Sequence, residues 1–191
     1  QILLDDRVRI SKRASSIGGS TMFLNTMLNV TVEELLQGMI IVSGNDASMA
    51  LAEHIAGTEE AFSEYMNEYA QAMGLKNTNY QNSYGLDGDE HYSSSIDIAI
   101  LASRIIKDFP QYFPWYSEQT FSSEKIRDLK TDQPIKQYNR NRLLKRDKTV
   151  DGMKTGYTSS AGYCLVATAE RDSMRLIAVV TGSKTPDERT E

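Results

Sequence analysis

The first half of the chain carries apolar residues at steps of three and four, which is the spacing of an amphipathic helix. The clearest helix start is Thr31, because Glu34 follows three residues later and completes a capping box. The residues after Glu34 are apolar on most faces of such a helix. We therefore expect this helix to be buried.

The helix is predicted to end in the segment 42–45, which reads Val-Ser-Gly-Asn. Glycine adopts the left-handed conformation that stops a helix at little cost, so we expect Gly44 to provide the stop. Asn45 or Asp46 is then expected to cap a second helix over Ala47–Ala56. The pattern predicts two consecutive helices joined by a very tight turn.

A third helix is expected from Thr58, and Gly74 is expected to end it. Its large apolar residues follow three- and four-residue steps, which predicts one continuous stripe that packs in the core. The residues of this stripe are Phe62, Tyr65, Met66, Tyr69 and Met73.

The second half begins with an Asn-, Gly- and Ser-rich segment, residues 75–95, that predicts an irregular loop. A serine at its end caps a helix over Ile96–Asp108. Two apolar segments, 161–170 and 174–182, then flank Arg171-Asp172 and predict a hairpin. Helices followed by an antiparallel sheet make an α+β fold, with a helical part over roughly 21–149 and a strand-rich part over roughly 150–184.

The segment Val150–Thr158 places a lysine, a hydroxyl and a glycine in succession at the start of the strand-rich part. On a strand, Lys154 and Gly156 share one face and Thr155 takes the other. Such a strand edge can hold a peptide carboxylate through the ammonium, the hydroxyl and backbone groups. The alternative for this segment alone is an ordinary strand with a solvated lysine.

Composition narrows the classes of function. The 191 residues are 40% hydrophobic and 25% charged, which is typical of one globular domain. A net charge of -5 argues against a nucleic-acid surface. One cysteine and two histidines exclude a Cys/His zinc cluster, and we predict neither a metal nor a cofactor.

Two short motifs change the interpretation when they are taken together. Ser43-Gly-Asn45 places a hydroxyl and an amide on the tight turn, although both residue types are common caps. Lys154-Thr-Gly156 follows about a hundred residues later, and this pair belongs to the motif set of penicillin-binding proteins and class A β-lactamases. Tyr84-Gly-Leu-Asp and Tyr138-Asn-Arg-Asn fall between them in the same order.

The chain therefore resembles the serine D-Ala-D-Ala carboxypeptidases, the low-molecular-mass penicillin-binding proteins. The resemblance implies a penicillin-binding-protein and β-lactamase-like fold, in which a helical cluster packs on an antiparallel sheet. It implies an enzyme that removes the terminal D-Ala from peptidoglycan stem peptides through an acyl-enzyme and that β-lactams acylate. It also implies work outside the cytoplasm, with membrane association only through segments outside this chain.

The resemblance also assigns roles to individual residues. Ser43 belongs to a proton relay near the leaving nitrogen, Asn45 hydrogen-bonds the substrate amide, and Lys154 supplies positive charge. Four further residues contribute to substrate binding. They are Thr155 for the terminal carboxylate, Gly156 for close approach, Tyr157 for an oxyanion-hole N–H, and Arg140 for charge balance, with a surface salt bridge as the alternative for Arg140.

The main departure from the family is the missing nucleophile motif, S-x-x-K, which the family places before the Ser-Gly-Asn motif. The one S-x-x-K here, Ser122 to Lys125, follows that motif instead, and chance matches of this kind are expected. We expect N- and C-terminal parts of the domain to lie outside this sequence and the fragment alone to be inactive. Two alternatives remain: a non-catalytic peptidoglycan- or partner-binding module, and a β-lactamase with a deacylating glutamate.

Overall fold

The computed structural model describes residues 1–191, which form six α-helices, seven strands and two short 3-10 helices. The chain folds into two compact units, each built from several stretches of sequence. The first unit comprises 1–66, 81–85 and 119–139, and the second comprises 67–80, 86–118 and 140–191. No helix is both long and apolar enough to cross a membrane.

The first unit is built around two buried helices. Its helices are α1 (Lys12–Ser16), α2 (Val32–Val42) and α3 (Asn45–Ala56), followed by the start of α4 (Glu59–Ala72). Two short antiparallel pairs flank them: β1 (Arg7–Val8) with β2 (Val30–Thr31), and β3 (Thr120–Phe121) with β4 (Gln137–Tyr138). Every α3 residue from Asn45 to Ala52 is buried.

The predicted capping box at the start of α2 is confirmed. Glu34 N–H donates to Thr31 Oγ1 at 3.2 Å, and Thr31 N–H donates to Glu34 Oε2 at 2.8 Å. Glu34 also accepts from Ser123 Oγ at 2.9 Å and pairs with Lys125 Nζ at 2.6 Å. One carboxylate therefore caps α2 and attaches the segment that follows β3.

The predicted stop between α2 and α3 was assigned to the wrong residue. Ser43 takes the left-handed conformation, with φ 62°, whereas Gly44 has φ -65°. Gly44 is needed for space, because a Cβ there would lie 3.0 Å from Asp46 Oδ1 and 3.3 Å from Ala47 Cβ. The predicted cap by Asn45 or Asp46 was also wrong, since both residues lie inside α3 and no side chain caps it.

The predicted core stripe on α4 is wrong as well. Tyr65 is 47% exposed and Tyr69 70% exposed, and the other three residues of the stripe are only partly buried. The face that α4 buries carries Glu59 and Ser63, at 3% and 5% exposure. Glu59 is held by Ser83 N–H, which donates to its Oε1 at 2.6 Å. The buried face of α4 therefore contains a hydrogen-bonded glutamate. The spacing of the apolar residues had predicted that this face is exposed to solvent.

The second unit contains helix α5 (Ser95–Asp108), a 3-10 helix (Phe113–Ser117), the short helix α6 (Leu143–Arg146) and a three-stranded sheet. Ser94 caps α5 as predicted, accepting from Asp97 N–H at 3.2 Å. The sheet strands are β5 (Val150–Thr158), β6 (Gly162–Arg171) and β7 (Met174–Ser183). All pairs are antiparallel in the order β5-β6-β7, with α5 packed on β7.

The predicted hairpin is confirmed as β6 and β7. Its turn residues Asp172 and Ser173 have φ 51° and 62°, the left-handed pair typical of a two-residue hairpin turn. The α+β class predicted from the order of helices and strands is also confirmed. The division into a helical part over 21–149 and a strand-rich part over 150–184 stays a prediction.

Gly38 lies inside α2, where alanine would normally be favoured by about 1 kcal/mol. A Cβ at this position would clash with Met22 Sδ and lie 2.9 Å from Met22 Cε, and Met22 is fully buried. We expect Gly38→Ala to lower the free energy of unfolding by up to about 2 kcal/mol, because overpacking costs about 1–3 kcal/mol and the helix preference for alanine offsets about 1 kcal/mol of it. Urea denaturation of the full-length protein measures this change.

Gly18→Ala is the matched control, because no atom lies within 4 Å of its built Cβ. This control should change stability by less than about 0.5 kcal/mol. Equal stability of the two variants would contradict the proposed overpacking at Gly38.

Candidate active site

In the first unit, the predicted site residue Ser43 ends α2 and the predicted site residue Asn45 begins α3, two positions later. Asn45 is 6% exposed, and its Nδ2 donates to the Gly18 carbonyl at 2.8 Å. Its backbone N–H donates to the Ser20 carbonyl at 2.7 Å. The loop that contains Gly18 and Ser20 therefore encloses Asn45 and fixes the orientation of its amide.

Asp46 holds the continuation of the same loop. Its carboxylate accepts from Met22 N–H at 2.9 Å and from Leu24 N–H at 3.0 Å, and it is 1% exposed. A buried carboxylate that accepts hydrogen bonds from several backbone N–H groups holds that backbone strongly in place. Residues 18–24 are thus held against the start of α3 by both Asn45 and Asp46.

In the second unit, the other predicted residues lie along β5, an edge strand of its sheet. Lys154, Thr155 and Gly156 pair with Val166, Leu165 and Cys164 of β6. Residues directly opposite on antiparallel strands share a face, so Gly156 leaves open the place where a side chain would lie beside Cys164. Gly156 and Tyr157 are both exposed, which leaves this part of the strand accessible.

Arg189 is a site residue that sequence analysis missed. Its side chain is 8% exposed, and Nη1 donates to the Gly156 carbonyl at 3.2 Å and to the Cys164 carbonyl at 3.3 Å. The guanidinium also lies over the Tyr163 ring, 5.5 Å from its centroid. Nothing in the segment around Pro186 indicated this contact, because it forms between residues 33 positions apart.

Positive charge accumulates around Lys154. Burial, together with the guanidinium groups of Arg140 and Arg189, lowers the pKa of Lys154 to about 8. Burial also lowers the pKa of Arg189. Lys154 therefore carries its proton at neutral pH. A bound anion would stabilise this charged form further.

Asn141 fixes the segment that carries Arg140. It is 2% exposed, its Nδ2 donates to the Gly152 carbonyl at 3.1 Å, and its Oδ1 accepts from Leu143 N–H at 3.1 Å. The backbone next to Arg140 is thereby attached to β5. Arg140 lies close enough to Lys154 for its guanidinium to lower the pKa of that lysine.

The serine of the S-x-x-K match shows no feature of a nucleophile. Ser122 is exposed, and the lysine of the match, Lys125, pairs with Glu34 at 2.6 Å. Through this ion pair the lysine supports the start of α2. The geometry is consistent with a chance match.

Comparison with known proteins identifies the family. The family model described as D-alanyl-D-alanine carboxypeptidase matches residues 1–185. The chain belongs to this carboxypeptidase family. The resemblance inferred from the sequence motifs is therefore confirmed.

Three relatives show the extent of the similarity to other family members. D-alanyl-D-alanine carboxypeptidase DacF of Bacillus subtilis is 46% identical over 99% of the chain and 47% of its own length. Penicillin-binding protein 5 of Haemophilus influenzae has a TM-score of 0.90 at 47% identity over 98% of this chain and 54% of its own. Penicillin-binding protein D2 of Listeria monocytogenes, solved in an ampicillin-bound form, has a TM-score of 0.83 at 27% identity over 99% of this chain and 74% of its own.

The carboxypeptidase-family fold expected from the motifs is confirmed by these structures. The chain spans about half the length of the curated relative it matches. This agrees with the expectation that the sequence is a fragment of a longer protein.

Proposed function

We propose that this chain is part of a serine D-Ala-D-Ala carboxypeptidase that removes the terminal D-Ala from peptidoglycan stem peptides. The observation that carries the proposal is the edge strand β5, which contains Lys154, Thr155 and Tyr157. Arg140 and Arg189 add positive charge beside Lys154. Cations and a hydroxyl on an accessible strand edge suit a peptide that ends in a carboxylate.

The substrate peptide adds to β5 as a further strand. Its terminal carboxylate accepts from the Thr155 hydroxyl and is neutralised by Lys154 and Arg140. The backbone N–H of Tyr157 donates to the oxygen of the scissile carbonyl, where negative charge develops during attack. Gly156 lets the peptide approach the backbone closely, and Arg189 holds the Gly156 carbonyl in place.

The family motif also assigns roles to two residues of the first unit. Donation of Asn45 Nδ2 to Gly18 leaves Oδ1 of the same amide as an acceptor for a substrate N–H. Ser43 passes a proton to the leaving D-Ala nitrogen. The nucleophilic serine and its lysine would come from a segment outside residues 1–191, because the family's S-x-x-K precedes the Ser-Gly-Asn motif.

The reaction proceeds in two steps. The serine oxygen bonds to the carbonyl carbon of the penultimate D-Ala, the C–N bond to the terminal D-Ala breaks, and the released amine takes up the serine proton. Water then attacks the ester, giving the shortened peptide and restoring the serine hydroxyl. A β-lactam would enter the same first step, as the ampicillin-bound form of the Listeria relative suggests. The proposed place of action is the outer face of the cytoplasmic membrane or the periplasm.

Intact-mass spectrometry of the natural full-length protein with benzylpenicillin tests the proposal. We expect one penicilloyl adduct on a serine that precedes residue 1 of this sequence, and none on heat-denatured protein. A native chain that binds muropeptide but never gains the adduct would instead support the non-catalytic module. Rapid nitrocefin hydrolysis without D-Ala release from peptides would support a β-lactamase.

A further inference from the structure

The loop 86–92 is attached to the end of strand β5 by an acidic side chain. Asp87 Oδ2 accepts from Ser160 Oγ at 3.0 Å, a contact between residues 73 positions apart. Ser160 lies in the turn between β5 and β6, which Thr158 closes by accepting from Ala161 N–H at 3.0 Å. Hydrogen bonds from the Thr158 and Ser160 hydroxyls keep the pKa of Asp87 below its usual value, so the acceptor is ionised at neutral pH.

The far end of this loop is held independently. Asn79 and Tyr92 exchange two backbone hydrogen bonds, at 2.9 and 3.0 Å, and Asn79 Nδ2 donates to the Glu90 carbonyl at 2.5 Å. The His91 ring contacts the Tyr80 ring edge-on, with centroids 6.0 Å apart. The second half of the loop is therefore attached to Asn79 and Tyr80. Its first half is attached to the sheet through Asp87.

The direction of the peptide on β5 determines what this loop would meet. With the carboxylate at Thr155 and the scissile carbonyl at the N–H of Tyr157, the residues before the scissile bond continue toward Thr158 and the following turn. The loop is attached at that turn. Leu86 and Tyr157, 39% and 57% exposed, supply apolar surface there.

We infer that Asp87 is a positioning residue, which holds the loop 86–92 as one wall of the subsite for the residue that precedes D-Ala-D-Ala. This inference rests on the proposed carboxypeptidase function. Asp87 acts through the position of the loop and does not itself touch the substrate. The subsite would accept a long side chain lying between Leu86 and Tyr157, and substrates without one would gain nothing from it.

The test compares two synthetic substrates with the full-length protein. Diacetyl-L-lysyl-D-alanyl-D-alanine carries a long side chain before D-Ala-D-Ala, and acetylglycyl-D-alanyl-D-alanine carries none. For Asp87→Ala we expect kcat/KM on the lysyl substrate to fall about tenfold, mainly through KM, because the charge-assisted hydrogen bonds from the Thr158 and Ser160 hydroxyls are lost. The value for the glycyl substrate should stay within about twofold, and Asp87→Asn should restore most of the loss because it keeps an acceptor oxygen.

Asp89→Ala is the matched control, since it removes an exposed carboxylate from the same loop. Ser160→Ala removes one of these hydrogen bonds from the other side and should reproduce part of the substrate-selective loss even if Asp87→Ala fails to fold. Equal losses on both substrates, an effect of Asp89→Ala equal to that of Asp87→Ala, or no effect of Ser160→Ala would overturn the inference. Failure of the wild-type protein both to release D-Ala and to form a penicilloyl adduct would instead overturn the proposed function.

Discussion

Replacing Asp46 with alanine is expected to lower the free energy of unfolding by roughly 3–5 kcal/mol, since each buried N–H left without an acceptor costs about 1–3 kcal/mol. The Asp46 carboxylate accepts from the N–H groups of Met22, Leu24 and Ala47 at 2.9, 3.0 and 2.9 Å. Met22 is fully buried and Leu24 is 5% exposed, so water cannot replace the lost acceptor. Urea denaturation of the full-length protein measures the loss.

Two further variants separate this effect from a simple change of charge. Asp46→Asn keeps one acceptor oxygen and should lose less stability than Asp46→Ala. Glu64→Ala removes an exposed acid from α4 and should change stability by less than about 0.5 kcal/mol. Similar losses of stability for Asp46→Ala and Glu64→Ala would show that Asp46 does not hold residues 18–24 in place.

The contacts of Asp46 show why part of the candidate site could not be predicted from sequence. As a residue near a helix start, Asp46 was predicted to cap α3, a local interaction. It instead bonds backbone groups 22 and 24 positions earlier, which no local pattern encodes. The capping box of Thr31 and Glu34 was predicted correctly because both partners lie within one turn of the chain.

Arg189 and α4 illustrate the same limit. Arg189 reaches the carbonyls of β5 and β6 because the short turn after β7 brings it back across the strands, and strand pairing decides that placement. On α4, the buried face carries Glu59, whose carboxylate accepts from the N–H of Ser83, 24 positions later. The family motifs did identify Ser43, Asn45 and Lys154 as candidates, because a motif records residue types that the spacing of apolar residues does not.

Ser43 has a left-handed backbone conformation, which is unusual for a residue other than glycine. A non-glycine residue in the left-handed region costs of order 1–3 kcal/mol when the surrounding structure imposes that conformation. Glycine would be the less strained choice at this position, yet the chain places its glycine one residue later, where close packing demands it. This arrangement is consistent with a requirement for the Ser43 hydroxyl, which the proposed proton relay would explain.

Lys154 should have the largest effect on activity in the proposed reaction. We expect Lys154→Gln to reduce kcat/KM for D-Ala release by on the order of a hundredfold or more, as removal of one preorganised electrostatic group does. Lys148→Gln is the matched control, because Lys148 is an exposed lysine on the segment just before β5. It should leave kcat/KM within about twofold, as a surface substitution away from the site should.

The pH dependence of activity should show that the protonated form of Lys154 is the active one. With a folded-state pKa of about 8, below the ordinary 10.5, Lys154 is cationic at pH 7 and loses its proton as pH rises through 8. The wild-type kcat/KM should therefore fall above pH 8. Between the two values the unfolded chain binds more protons than the folded protein, so this residue's contribution to stability rises with pH there while activity falls.

Lys154→Arg tests this assignment, because a guanidinium stays protonated throughout that range. Its absolute activity should be reduced, since the compact ammonium is replaced by a larger planar group, but its decline above pH 8 should disappear. Persistence of the wild-type decline in Lys154→Arg would show that another group titrates and that the cation at Lys154 does not control substrate binding.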